Sequence, residues 1–390
     1  MEAFTFNTFE LVLLSATGVL LIIQLSYYLG VYNRIHTRNV ADKKNELHFT
    51  KELPPLSVVI RSRNESENLR RFLPAILEQD YPLFEVIVIN DGSTDESEEV
   101  LSTFEEKYPH LYHSFTPESA RYISRKKLAL TLGIKASKHD WLVFTEANCQ
   151  PASNQWLRLM ARNFTPHTQI VLGYSGYKQG KGWLHKRMSF HALFTSLRYL
   201  GFALAGKPYM GLGRNLAYRR EMFFKEKGYS THLNLQRGED DLFINKIATP
   251  YNTRVETNAN AVMRIQTIEN YKDWKEEKVS YMATARYFKG FQRYMLGFET
   301  FSRLLFYITC TAGIVFGILN LHWLVAGIAL LLWLIRYTTQ AIIINKTATE
   351  QGDNQHYYFS LPIFDLLQPF QVLKLKIYRI YRGKGDFMRR

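Results

Sequence analysis

The sequence predicts an α/β protein in which a mostly parallel sheet is flanked by helices, with one transmembrane helix before this domain and two after it. Between about residues 54 and 300, buried-strand runs alternate with helical patterns of roughly 10–15 residues, which is typical of βαβ units. Residues 11–31 carry no charge, and a second apolar region, residues 304–344, is about twice as long as one membrane span. We therefore expect a soluble domain between two membrane-bound ends.

The N-terminal anchor is predicted to occupy residues 1–33. At about 1.5 Å per residue, its uncharged run is long enough to cross the roughly 30 Å hydrocarbon core. Basic residues follow directly, at Arg34, Arg38, Lys43 and Lys44. By the positive-inside rule, the N-terminus lies outside, and the basic juxtamembrane linker, residues 34–53, lies in the cytoplasm. The alternative, a signal peptide, would need a basic n-region, whereas Glu2 and Glu10 precede this run.

The second apolar region is predicted to form a transmembrane hairpin, because residues 320–322 divide residues 304–344 into two spans. Both ends of the hairpin then lie on the cytoplasmic side, with the soluble domain. Arg336 falls inside the second span, and we expect its long side chain to snorkel to the interface. The tail, residues 345–390, mixes apolar and basic residues, which predicts an interfacial segment on an anionic leaflet of the cell membrane.

The composition excludes several classes of protein. The 390 residues include 49 Lys+Arg and 35 Asp+Glu, a net charge of +14, and 46% are hydrophobic, which excludes a disordered chain. The mean hydropathy of −0.20 excludes a polytopic transporter. The two cysteines, Cys149 and Cys310, make neither a disulfide framework nor a zinc spacing. Because membrane topology explains much of the positive charge, we expect no nucleic-acid partner.

Strand and helix signals alternate along the soluble domain. Buried strands are predicted over residues 56–60, 85–89 and 141–145. One helix is predicted from the spacing of Leu69, Phe72, Leu73, Ile76 and Leu77, which form a single face. Further helices are predicted after a capping box at residues 93–96, over residues 128–136 and over residues 241–247. The apolar residues 188–205 have two interpretations, a helix lying on the membrane and a core helix.

Polar residues follow each predicted strand, at residues 61–65, 90–95 and 146–150. In parallel sheets ligands bind beyond the carboxyl ends of the strands, so these groups predict one binding site. Asp91 is placed to accept a hydrogen bond from a base or a ribose. Glu146 and Asn148 supply two oxygen atoms, which are suitable ligands for a hard divalent cation. Each group alone is also compatible with ordinary turn chemistry.

An ordered set of motifs indicates a family. SVVIRSRNE, VIVINDGSTDES, KKLALTLGI, VFTEANCQP, GLGRNLAYRR and GEDDL resemble, in order and spacing, those of membrane-bound family 2 glycosyltransferases. These are nucleotide-diphospho-sugar transferases with a GT-A fold, a mostly parallel Rossmann-like sheet, and the resemblance covers residues 54–300. It implies a cytoplasmic GT-A domain that binds a nucleotide-diphosphate sugar.

The resemblance also implies roles for individual residues. The nucleotide-sugar-binding residues would be Arg63, Glu65, Asp91, Lys126 and Arg286, with Asp91 on the base. Glu146 and Asn148 would hold a divalent cation, Mn²⁺ or Mg²⁺, at the diphosphate. Asp240 would be the catalytic base, supported by Glu239. The acceptor side would be formed by Gly213, Arg214, Asn215 and Tyr287.

Two departures from the family pattern qualify these roles. Asn148 stands where the second aspartate of Asp-x-Asp is usual, so the metal would bind with less electrostatic help. The Gln-x-x-Arg-Trp motif of processive members is matched only by residues 283–287, where Arg286 and Tyr287 remain. The missing Gln and the small number of predicted spans favour a non-processive enzyme.

The expected activity is inverting transfer from a nucleotide-diphosphate sugar to a lipid, lipid-linked or glycan acceptor at the cytoplasmic membrane face. One alternative is a catalytically impaired, membrane-tethered nucleotide-sugar-binding protein, because the metal motif is degraded. Another is a nucleotidyltransferase on a similar scaffold. For residues 239–241 the alternative to catalysis is a helix start, where acids interact favourably with the helix dipole.

Overall fold

The computed structural model describes residues 6–117, 124–233 and 235–382. The first residues of the predicted anchor, 1–5, and the end of the predicted tail, 383–390, lie outside this description. The strands are β1 (Leu56–Ser62), β2 (Phe84–Asn90), β3 (Leu111–Phe115), β4 (Trp141–Glu146), β5 (Cys149–Pro151), β6 (Ile170–Leu172), β7 (Ser175–Tyr177), β8 (Leu216–Arg219), β9 (Thr253–Val255) and β10 (Met263–Ile265).

The helices alternate with these strands and extend beyond them at both ends of the chain. They are α1 (Thr8–Tyr27), α2 (Arg34–Lys43), α3 (Ser66–Leu77), α4 (Ser97–Lys107), α5 (Arg125–Ala136), α6 (Trp156–Ala161), α7 (Trp183–Leu204), α8 (Arg220–Lys225), α9 (Asp241–Ile247), α10 (Tyr271–Met282), α11 (Gln292–Leu319), α12 (Trp323–Glu350) and α13 (Leu361–Arg382). A π-helical turn, Tyr28–Tyr32, joins α1 to the start of α2. The predicted linker therefore begins as a helix.

The central sheet has seven strands in the order β3-β2-β1-β4-β8-β6-β9 within the described residues. Only β8 runs against the others, since it pairs antiparallel with both β4 and β6. A smaller sheet, β5-β10-β7, lies beside it. The prediction of a mostly parallel α/β sheet flanked by helices is confirmed, and the strand order changes direction between β1 and β4, where such sheets form their binding crevice.

The hydrophobic pattern of the sequence correctly predicts several strands and helices of this domain. The predicted strands are found in β1, β2 and β4, whose apolar side chains are buried on both faces, as expected in a sheet covered by helices. The predicted apolar face of α3 is buried in full. Residues 188–205 belong to α7, and most of this helix is packed in the protein core, as in the core-helix interpretation.

The predicted capping box at residues 93–96 is wrong. Helix α4 begins at Ser97, and its N-cap residue, Glu96, makes no side-chain capping bond. The carboxylate of Asp95 instead accepts hydrogen bonds from the N–H groups of Ser66 and Ser97. This bond to Ser66 ties the loop after β2 to the start of α3, a tertiary contact that a local motif does not encode.

Three helical segments are long and apolar enough to cross a membrane, among the residues described: Thr8–Lys43, Gln292–Leu319 and Trp323–Glu350. One lies near the N-terminus and two near the C-terminus, which confirms the predicted number and order. The expectation that Arg336 snorkels is wrong, because its side chain is 1% exposed within the helix bundle.

The partner of Arg336 lies on the helix of the C-terminal tail. Asp365 of α13 accepts from Arg336 and from Arg303 of α11, each at 2.8 Å, and from the Tyr307 hydroxyl at 2.6 Å. Asp365 is itself fully buried. This group, called here the Asp365 cluster (Arg303, Tyr307, Arg336 and Asp365), joins α13 to the two preceding helices. The exposed residues of α13 are mostly apolar, with Lys374 and Lys376 among them, as expected of an interfacial helix.

Candidate active site

A cavity of about 400 Å³ opens at the carboxyl ends of β1 and β4. Arg61 of β1 is the register partner of Glu146 of β4, and Ser62 is that of Asn90 at the end of β2. The polar groups that follow the strands therefore meet at one edge of the sheet. The charged residues that line the cavity are Arg61, Arg63, Glu65, Arg125, Lys126, Glu146, Arg214, Arg237, Glu239, Asp240 and Glu277.

A chain of ion pairs crosses the floor of this cavity. The Lys126 ammonium lies 3.0 Å from a Glu146 carboxylate oxygen and 2.7 Å from a Glu239 carboxylate oxygen. Arg214 lies 2.7 Å from the other Glu146 oxygen and 3.0 Å from Glu277. Although burial opposes ionisation, the charges of Lys126 and Arg214 hold the pKa of Glu146 well below its usual range. Three acids of the site are therefore held as carboxylates by neighbouring cations.

Asp240 differs from these acids. Its carboxylate accepts from the N–H of Gly213 at 2.9 Å and from the N–H of Asp241 at 2.8 Å, and it has no ion pair among the described residues. Burial, together with the negative charge of Glu239, raises the pKa of Asp240. It lines the cavity with an exposed fraction of 4%. Asp240 is thus a carboxylate with enhanced affinity for a proton at the wall of the cavity.

Asp241 points away from the cavity. Its carboxylate accepts hydrogen bonds from the Thr284 hydroxyl and from the N–H of Leu242. Burial and the adjacent Asp240 raise the pKa of Asp241 from 3.8 to about 8. The acidic run therefore divides into one residue that faces the site and one that belongs to the core, while Glu239 pairs with Lys126.

The Asp241→Asn variant is expected to lose less stability than the wild type as pH rises from about 4 to about 8. In this window the unfolded chain releases the Asp241 proton while the folded protein retains it, because the folded pKa is raised to about 8. The resulting stabilisation is complete below about pH 4 and is lost as pH rises through the folded pKa. Thermal unfolding of the full chain in detergent measures this effect. Parallel Tm–pH curves for the two proteins would contradict it.

Asp91 lies beneath the cavity and does not line it. Its fully buried carboxylate accepts from Arg61 at 2.6 Å and from Arg125 at 3.0 Å, and both of these arginines do line the cavity. Gly92 has a φ of +66°, and a Cβ atom at this position would collide with the Arg125 guanidinium. The Asp-Gly pair after β2 therefore fixes the position of two arginines on the nucleotide side of the predicted site.

Comparison with known proteins identifies the domain. Residues 57–225 match the sequence model of the family described as Glycosyl transferase family 2. These residues form a family 2 glycosyltransferase domain. It is 24% identical to the probable glycosyltransferase YdaM of Bacillus subtilis strain 168 over 399 aligned residues, which cover 94% of this chain and 92% of that protein. The family match and this relative identify the protein as a glycosyltransferase.

Two further relatives are informative. The poly-beta-1,6-N-acetyl-D-glucosamine synthase of Staphylococcus epidermidis is 26% identical over 148 residues, which cover 38% of this chain and 33% of that enzyme. The mannosyltransferase PcManGT from Pyrobaculum calidifontis, solved with GDP-Man and Mn²⁺, has a TM-score of 0.52 and 18% identity, and covers 87% of this chain and 100% of its own. This structural likeness confirms the GT-A fold.

Within the glycosyltransferase, two of the predicted acceptor-side residues stand in the site. Gly213 donates its N–H to Asp240, and Arg214 joins the ion pairs of the cavity floor. Asn215 does not reach the cavity. Its amide accepts from the Trp156 indole and donates to the carbonyl oxygens of Tyr174 and Ala261, so it holds core elements together.

Arg286 and Tyr287 also lie apart from this cavity. They belong to a 3₁₀ turn, Ala285–Tyr287, that follows α10, and Arg286 lines a second cavity next to the first. The two side chains contact one another through the guanidinium and the phenol hydroxyl. Arg286 thus does not line the cavity that contains Lys126 and Glu146, because the turn after α10 carries it toward α13, and its binding of the nucleotide sugar stays a prediction.

Three charged residues that line the cavity, Arg125, Arg237 and Glu277, were not predicted from the sequence, and Arg61 was predicted only as part of the polar group at residues 61–65. Arg125 could have been found from its position beside Lys126. Arg237 and Glu277 carry no local signal. The segment that contains Arg237 is held by hydrogen bonds from the start of α5. The hydroxyl of the N-cap residue Ser124 donates to the Gln236 carbonyl, and the Lys127 ammonium donates to the Leu235 carbonyl.

The two predicted metal ligands lie at the same cavity. Both Glu146 and Asn148 line the cavity, and the Asn148 side-chain oxygen is contacted only weakly, by the Cys149 thiol at 3.4 Å. No group of three or more His, Cys, Asp or Glu side chains suited to a metal occurs in the described part of the chain. The pair fits an ion such as Mg²⁺, which takes its remaining ligands from phosphate and water. Such an ion would share Glu146 with Lys126 and Arg214.

Proposed function

We propose that this glycosyltransferase is an inverting, non-processive enzyme that transfers a sugar from a nucleotide-diphosphate sugar to a lipid-linked or glycan acceptor at the cytoplasmic membrane face. The observation that carries the proposal is the state of Asp240. It is a buried cavity-lining carboxylate without an ion pair among the described residues, and its pKa is raised. A carboxylate in this state can take up a proton from a bound acceptor hydroxyl, which is the task of a general base.

In the proposed reaction Asp240 acts as the general base. The acceptor O–H bond breaks and its proton passes to the Asp240 carboxylate, while the acceptor oxygen bonds to the anomeric carbon. The bond from that carbon to the diphosphate oxygen breaks, and the nucleoside diphosphate leaves. A single displacement of this kind inverts the anomeric centre. A double displacement would need a second free carboxylate on the opposite sugar face. Glu146, Glu239 and Glu277 are ion-paired, and Glu65, which accepts from the Asn68 amide, is assigned to the donor side.

We assign the donor to the side of the cavity at the carboxyl ends of β1 and β2. Arg63, Lys126 and the two arginines held by Asp91 supply positive charge for a diphosphate, which arginine binds through paired N–H donors. Asp91 then acts through Arg61 and Arg125. Glu65 lines the same side, and burial raises its pKa. We therefore assign the diphosphate of the donor to this side of the cavity.

Glu146 and Asn148 would hold a divalent cation, Mn²⁺ or Mg²⁺, which when bound neutralises charge on the diphosphate leaving group. The Asn148→Asp variant is expected to bind Mn²⁺ more tightly, because it adds a negative charge beside Glu146. Glu146→Gln is expected to weaken binding. Calorimetric titration of Mn²⁺ into the protein with bound nucleoside diphosphate measures both effects. Unchanged affinity in both variants would place the ion elsewhere.

The membrane orientation rests on the Lys and Arg residues that follow the first span and flank the hairpin. Three candidate spans among the described residues are few for an enzyme that extrudes a polymer. The absence of a complete Gln-x-x-Arg-Trp motif agrees with this. Together these features support a non-processive transferase.

One vesicle experiment tests the proposed function. Inside-out and right-side-out membrane vesicles containing the full chain are supplied with radiolabelled nucleotide sugars, and sugar transfer and nucleoside diphosphate release are measured. Transfer is expected only in inside-out vesicles, where the cytoplasmic face is accessible, and Asp240→Asn serves as the control. Binding of a nucleotide sugar without any turnover would instead identify a nucleotide-sugar-binding protein.

A further inference from the structure

A second cavity, of about 750 Å³, adjoins the active site. Its wall is formed by the turn after α10, the first turns of α11 and the last turns of α13. Gln236 and Arg237 line both cavities. The two cavities therefore adjoin one another at these two side chains.

The charged side chains that line this second cavity are all positive. Six cations line it, at Arg198, Arg237, Arg286, Arg293, Lys376 and Arg379, and no Asp or Glu is found among its described lining residues. Arg198 pairs with Glu299. Arg293 and Arg379 donate only to backbone carbonyl oxygens in the described structure, those of Arg286 and Met282. Burial and the nearby Arg286 charge lower the pKa of Arg379. The cluster is thus a site for an anion.

The remaining lining is apolar, with Phe288, Leu296 and Ile380 among its members. Around it, α13 exposes Ile380 at 77% and Tyr381 at 86%, and the segment at the start of α11 exposes Phe291 at 71%. Such large exposed apolar side chains beside a candidate membrane span are typical of a surface in contact with lipid. The anion that fits here therefore carries an apolar chain.

We propose that the second cavity binds the phosphate or diphosphate headgroup of a lipid-linked acceptor, whose lipid chain lies along the exposed apolar faces of α11 and α13. This rests on the proposed function and specifies its acceptor class. The saccharide of such an acceptor reaches Asp240 past Gln236 and Arg237. Arginine and lysine clusters supply the charge-assisted hydrogen bonds that phosphate oxygens accept. Arg286 contacts the acceptor in this arrangement, and not the donor.

The test measures binding of farnesyl diphosphate to the full chain in nanodiscs of zwitterionic lipid. Lys376→Gln and Arg379→Gln are each expected to weaken binding by about tenfold or more, since each removes a charge-assisted contact to phosphate. Lys374→Gln is the matched control, because Lys374 lies on the same helix, is exposed and does not line the cavity. It is expected to leave binding within about twofold. Arg379→Lys, which retains the charge, is expected to recover most of the affinity and so separates charge loss from misfolding.

Three further ligands decide the nature of the site. Farnesol, which lacks the charge, and inorganic pyrophosphate, which lacks the lipid, are each expected to bind at least about tenfold more weakly than farnesyl diphosphate. Equal binding of pyrophosphate would identify a site for free phosphates, and equal competition by phosphatidylglycerol would identify a general anionic-lipid surface. Either of these two results overturns the proposal. So does a failure of farnesyl diphosphate to bind, or an equal loss of affinity in Lys374→Gln and Arg379→Gln. Because this assay needs no sugar transfer, it succeeds or fails independently of the vesicle experiment.

Discussion

The Asp240→Asn variant is expected to lose at least about 10²-fold in kcat, with nearly unchanged affinity for the nucleotide sugar. The substitution keeps the shape and one oxygen acceptor of the side chain, but it removes the atom that takes the acceptor proton. Because the pKa of Asp240 is raised by burial and by Glu239, wild-type kcat should also fall as pH is lowered through that pKa. Steady-state kinetics with separate donor-binding measurements test both expectations.

Asp241→Asn is the matched control for this prediction. It makes the same chemical change one residue along the chain, at a carboxylate that faces Thr284 and not the cavity. We expect it to keep kcat within about threefold of the wild type, because substitutions that lose no catalytic contact cost little transition-state binding. Equal and small losses at both positions would mean that the acidic run serves only to start α9.

The Asp365→Leu variant is expected to destabilise the full chain strongly, by about 3–5 kcal/mol, because it leaves the buried Arg336 guanidinium without a counter-charge and Arg303 with only Glu299, 3.7 Å away. Arg303 and Arg336 each lie 2.8 Å from the Asp365 carboxylate, and both are at most 1% exposed. Thermal unfolding in detergent should show a large fall in Tm. The last turns of α13 should also become accessible to protease, since the Asp365 cluster joins this helix to α11 and α12.

Two variants control this second prediction. Leu366→Ala changes the next residue on the same helix, which is 41% exposed, and it should have little effect on Tm. Adding Arg336→Met to Asp365→Leu should recover part of the loss, because it removes one of the unpaired buried charges. If Asp365→Leu unfolded at the wild-type temperature, the Asp365 cluster would not be what holds α13 in place.

Local patterns in the sequence were sufficient for the framework of this protein. The strands β1, β2 and β4, the buried face of α3 and the three candidate spans all follow from hydrophobic periodicity or length, which are properties of neighbouring residues. Strands β6 and β9 were not predicted. Each has three residues, too few to show a period.

The site was predictable where it depends on the ends of parallel strands. Because those ends meet at one edge, Glu146 and Asp91 could be placed near one another before their contacts were known. What they contact was not predictable. Arg214 and Glu277 form an ion pair although they are 63 residues apart, and no local pattern marks Glu277.

The sequence by itself determined the α/β framework, the three apolar segments long enough to span a membrane, the glycosyltransferase domain and the position of Asp240 at the start of α9. Only the tertiary structure decided that Asp240 lacks an ion pair in the described chain, that Asn215 lies in the core, that Arg286 faces a second cavity and that Arg336 pairs with Asp365. The physical reason is the range of the interactions. Periodicity and strand-end position depend on residues a few places apart, whereas the partner of a charged side chain depends on which distant segments the fold brings within a few ångströms.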